Sequence, residues 1–78
     1  MRKWEYLRVI ANSDPDGRIM DITANEEKVF SQSYQTQIIE FNLFDYLTKL
    51  GKDGWEMVNA LPWWGRGVVL YIFKRPVE

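Results

Sequence analysis

Two tryptophans and an arginine, Trp63, Trp64 and Arg66, sit inside the segment Pro62-Trp63-Trp64-Gly65-Arg66-Gly67. One Pro and two Gly give that segment the composition of a hairpin connection. Paired indoles and a guanidinium at a hairpin tip could stack on a base or ring and pair with an anion, and the same residue types anchor protein interfaces. Indoles that fold back over an open end of a sheet are the structural alternative. Trp63, Trp64 and Arg66 are therefore the candidate ligand-binding or partner-binding residues, with a small anionic ligand as the small-molecule alternative.

Other spacings invite chemistry and fall short of it. Asn12, Asp14, Asp16 and Gly17 occupy the first, third, fifth and sixth positions of a calcium-loop pattern. Thr23 then stands where a bidentate Glu is needed, Pro15 stiffens the loop, and β-rich segments flank it. The cluster reads as a turn, and no metal site is expected. Gly51-Lys52-Asp53-Gly54 has the GxxG spacing with which KH domains clamp a nucleotide backbone. That loop joins two helices, whereas a strand-like run follows here, so a helix end plus turn is the expectation. Glu56 and Asp53 would act as acid and base only if burial raised a pKa, and a carboxylate beside Gly-Trp reads as a turn or strand-surface residue.

The chain has no Cys and no His, which removes disulfides, thiolate catalysis, Cys-rich zinc sites and the commonest general base together. No catalytic residues and no cofactor are expected. Ten Lys and Arg against eleven Asp and Glu give a net charge of −1, so any polyanion site must be a local patch and nucleic acid is a disfavoured partner. The N-terminus alternates polar and apolar residues and no apolar run reaches about 20 residues. The sequence thus predicts a cytoplasmic or released soluble protein, cytoplasmic being favoured, with no membrane partner.

The elements that position these residues follow from local patterning. The chain has 78 residues, 46% of them hydrophobic, which suits one small domain, 1–78, with a single core. Lys3 to Ala11 is rich in Trp, Tyr, Val and Ile and predicts a strand. Asn12 to Gly17 predicts a turn and Arg18 to Thr23 the returning strand. Residues 28–41 are polar without a period and read mainly as loop, with a short strand near Lys28 to Phe30 as an option. Leu43, Tyr46, Leu47 and Leu50 have helical spacing, Asn42 is an N-cap, and Gly51 predicts the stop, giving a helix over 42–50. Trp55 to Leu61 and Val68 to Lys74 are the remaining strands. The expected fold class is α+β: an antiparallel sheet of about four strands in the order β-β-α-β-β, one α-helix on one face, and the first strand central beside the last.

Three segments also carry a resemblance: Lys3-Trp4-Glu5-Tyr6, Leu50-Gly51-Lys52-Asp53-Gly54-Trp55-Glu56-Met57-Val58 and Phe73-Lys74-Arg75-Pro76. In order and spacing the chain resembles the domain of unknown function 4177 family, a group of small, mostly bacterial proteins. The resemblance spans nearly the whole chain and implies the sheet-plus-helix fold. It implies no activity. Residues 28–41 are longer and more polar than the family pattern.

The strongest functional expectation comes from strand faces. Val68, Leu70 and Ile72 point to one side of the last strand and Val69, Tyr71 and Phe73 to the other, so both sides are apolar. One short helix covers one side. The other needs a cover, either a symmetric partner subunit or the polar middle segment. The sequence therefore predicts a homo-oligomer, a dimer being favoured, with Trp4, Tyr6, Tyr71 and Phe73 as the interface residues. Arg2, Lys3, Arg8, Lys74 and Arg75 crowd the chain ends, and antiparallel pairing would bring Lys3 near Arg75 in a basic patch.

Overall fold

Side chains alternate across a pleated strand, and Lys3–Ser13 (β1) buries Leu7, Val9 and Ala11 on one side while Trp4, Tyr6 and Arg8 remain exposed on the other. The structure is a computed structural model that describes residues 3–16, 18–31, 41–62 and 67–77. Beside β1 the described elements are β2 (Ile19–Ala24), β3 (Glu27–Ser31), α1 (Leu43–Lys52), β4 (Glu56–Pro62) and β5 (Val68–Val77). They build one antiparallel five-stranded sheet in the order β3-β2-β1-β5-β4, with α1 as its helix. The fold is α+β with β1 central beside β5, and it corrects the expected strand count and order: β3 is a full strand, which makes the order β-β-β-α-β-β.

The β1–β2 turn is held by Asp14, whose Oδ1 accepts from the amides of Asp16 at 3.0 Å and Arg18 at 2.8 Å. An Asx-type turn thus uses the acidic residue that a calcium loop would have needed. The β2–β3 connection has only two residues, Asn25 at φ 49° and Glu26 at φ 72°, the sign pattern of a type I′ hairpin. Asn25 also stitches this hairpin to β1. Its amide donates to the Arg8 carbonyl at 2.8 Å and its Oδ1 accepts from the Arg8 amide at 2.9 Å.

Helix α1 begins as its sequence suggests, with Asn42 accepting from the Asp45 amide at 3.1 Å. It ends later than expected. Gly51 lies inside the last turn, and Gly54 at φ +93° takes the left-handed position. The Trp55 amide donates to the Leu50 carbonyl and the Gly54 amide to the Gly51 carbonyl, both at 3.0 Å, which is a Schellman closure. Both glycines meet the composition rule for a stop, and only the one whose neighbours can complete this closure becomes the stop.

The core comprises Leu7, Val9, Ala11, Ile22, Leu50 and Phe73, with Leu43, Tyr46, Leu47, Trp55 and Tyr71 packed around it. Helix and sheet meet through it. An aromatic chain joins β3 to the start of α1: Phe30 and Phe41 lie 4.8 Å apart between ring centres, and Phe41 and Tyr46 5.7 Å. Phe73 is a core residue at 2% exposure, so it leaves the expected interface set. The reason is register. Leu7 lies opposite Phe73 and Val9 opposite Tyr71, which puts Phe73 and Tyr71 on the helix side of the sheet, away from Trp4 and Tyr6.

Candidate functional site

The β1–β5 register draws the three resembling segments to one end of the sheet. Glu5 is opposite Arg75, Tyr6 opposite Lys74, and Lys74 in turn opposite Glu56 on β4. Because directly opposite residues share a face, this end has two chemically different surfaces.

On the helix side Arg75 is the hub. Its Nε donates to Glu5 Oε1, its Nη1 donates to the Asp53 carbonyl at 3.2 Å, and its guanidinium lies 4.2 Å from the centre of the Trp55 ring. One planar cation therefore ties the carbonyl end of α1, the first residue after the Schellman turn, and the central strand together. This arrangement is a joint between helix and sheet, built from residues that already satisfy one another. Glu56 and Asp53, the carboxylates considered as acid and base, are both exposed.

The same register splits the expected basic patch between the two sides of the sheet. Lys3 lies opposite Val77 instead of beside Arg75, and Arg75 is matched by Glu5. Arg8 Nη2 pairs with Glu26 at 3.2 Å, and Lys74 Nζ sits 4.4 Å from the centre of the Trp4 ring. Arg2 lies outside the described residues. The basic residues are divided between the two sides, Lys3 and Arg75 on the helix side and Arg8 and Lys74 on the other.

The side of the sheet opposite the helix is the second surface. Down its middle run Tyr6 and Ile10 of β1, Val68, Leu70 and Ile72 of β5 and Leu61 of β4, with Trp4 at the end. Tyr6 is 61% exposed and Trp4 39%, while Ile10, Ile72 and Leu61 are half-buried by their neighbours. Leu70 is buried at 5% yet stands outside the helix-side core cluster, which marks a second, smaller apolar cluster on this face. Arg8, opposite Ile72, and Lys74, opposite Tyr6, interrupt this strip, and the other charged groups lie to its sides. Asp21 meets Lys28 at 3.4 Å, Arg8 meets Glu26, and Glu56 lies opposite Lys74.

Trp4 and Tyr6 thus share this surface, whereas Tyr71 and Phe73 do not. Trp63, Trp64 and Arg66 lie outside the described residues. Among the described residues no group of three or more Asp and Glu is placed to hold a metal ion, and no helix is long and apolar enough to cross a membrane. No family model, curated protein or solved structure matches the chain. The residues that sequence reasoning missed are Glu5 and Trp55 as partners of Arg75. An antiparallel pairing of first and last strands contains the signal, because it must set some acidic residue of the first strand against the basic end of the last.

Proposed function

We propose that the protein is a non-catalytic interaction module that associates with itself through its β-sheet. The observation that carries this reading is the mixed burial of the sheet's second face: a largely apolar central strip with a tyrosine 61% exposed, crossed by Arg8, whose charge is paired with Glu26. Apolar surface left in water is unfavourable in proportion to its area, and a contiguous strip rimmed by polar groups is the usual composition of a contact surface. The helix supplies ten residues and all its buried contacts go to the opposite face.

Self-association links stability to protein concentration, because a partner that binds only the folded chain stabilises it by mass action. Thermal unfolding followed over a hundredfold dilution series is the test. A midpoint that climbs with concentration supports the reading, and one that stays constant throughout the series removes it.

A further inference from the structure

The two ways for a sheet to self-associate are edge to edge, which extends the ladder, and face to face, which stacks it. The hydrogen-bond phase of the sheet decides which amides point outward from β4. The Ser13 amide donates to the Gly67 carbonyl at 2.7 Å, so odd-numbered residues of β5 bond toward β1 and even-numbered ones toward β4. Met57, Ala60 and Pro62 lie opposite Phe73, Tyr71 and Val69, all odd. Their backbone groups therefore face the free edge.

That edge is closed at Ala60 and Pro62. Pro62 has no amide hydrogen to offer. The outward Ala60 amide donates to Asn59 Oδ1 at 2.8 Å, so a side chain from its own strand occupies the donor that an incoming strand would need. The register shift between Met57 and Asn59 leaves Val58 as a bulge, which bends the ladder. The opposite edge carries the same device, since β3 has a register shift that leaves Val29 unpaired, and Glu27 and Lys28 put charges beside it.

We infer that the partner is a second copy of this chain packed face to face on the side opposite the helix, around Tyr6, Ile10, Leu70 and Ile72, with both sheet edges excluded. This rests on the self-association reading and adds the surface to it. Size and charge both fit. Five strands about 4.8 Å apart and some seven residues of about 3.3 Å each give a projected face of about 550 Å². A patch of that size on each copy falls at the lower end of specific interfaces, which bury about 1,200 Å² in total. Asp21 with Lys28 and Arg8 with Glu26 balance charge within each copy, and Lys74 lies over the Trp4 ring, so most of the face's charge is matched before two copies meet.

The test is the dissociation constant of the full chain by sedimentation, for the wild type and for Tyr6→Arg, Tyr6→Ser, Val58→Arg and Asn59→Ala, each checked for folding by circular dichroism. Face-to-face packing predicts a loss of at least a hundredfold for Tyr6→Arg and about tenfold for Tyr6→Ser, with Val58→Arg unchanged within twofold. Asn59→Ala uncovers an edge donor, so it should keep the dimer and add slow higher association. A wild-type dimer that survives Tyr6→Arg, or that Val58→Arg breaks, overturns the assigned face and leaves self-association standing. A wild-type monomer overturns both.

Discussion

Replacing Arg75 with Ala removes three interactions at once, and their sum can be worked from the joint it makes. The pair with Glu5 has side chains 36% and 42% exposed, so solvent screening holds it to about 0.5 kcal/mol. The charge-assisted bond to the Asp53 carbonyl, at 3.2 Å on an exposed turn, contributes about 0.5–1 kcal/mol. The guanidinium over the Trp55 ring, at 4.2 Å, contributes about 0.5–1 kcal/mol more. Arg75→Ala should therefore destabilise by about 1.5–2.5 kcal/mol, which lowers the midpoint of a domain this size by roughly 6–20 °C. Arg75→Lys keeps a point charge and loses the planar fork, so it should recover less than half of that. Urea unfolding of wild type, both variants, Glu5→Gln and the Glu5→Gln/Arg75→Ala double mutant measures the sum and the Glu5 coupling, expected near 0.5 kcal/mol. An Arg75→Ala effect under 0.5 kcal/mol, the range of an ordinary surface substitution, would refute the joint.

Two further outcomes follow from the helix end and its packing. Gly51→Ala should stabilise by about 0.5–1 kcal/mol, because Gly51 is helical and a Cβ there meets nothing within 4 Å. Gly54→Ala should destabilise by about 1–2 kcal/mol, because φ +93° is strained for any side chain. Thermal midpoints moving in the same direction would show that the helix stops elsewhere. Burial raises the pKa of Tyr46 above its ordinary 10.0. The unfolded chain then loses this proton first, so the stabilisation is complete below pH 10 and declines as pH rises toward the folded value. Denaturant midpoints between pH 8 and 11 should fall more for wild type than for Tyr46→Phe, and parallel curves would contradict the assignment.

Parts of this fold are readable in the sequence because local physics decides them. Alternation from Lys3 onward marks β1, Asn42 marks the start of α1, and Asp14 with Pro15 marks the first turn. The end of α1 was ambiguous, since two glycines three residues apart satisfy the same rule and backbone amides choose between them. Strand β3 was hard to see because Glu27–Ser31 has no apolar alternation of its own and is held by β2 and by Phe30 stacking on Phe41. Register was the deepest difficulty. Pairing Lys3 with Arg75 or with Val77 differs by a slip of two residues, which keeps each side chain on its face and is therefore invisible to patterning. That slip turns a row of like charges into the Glu5–Arg75 pair, and with it the anion patch into a helix joint.

What remains of the site is then the strip of the sheet away from the helix, where Trp4 and Tyr6 stay exposed beside half-buried Ile10, Ile72 and Leu61. Light scattering on the full chain at high micromolar concentration weighs that claim directly. A mass twice the 9.3 kDa of one chain is the predicted result, and 9.3 kDa at every concentration reached would contradict it.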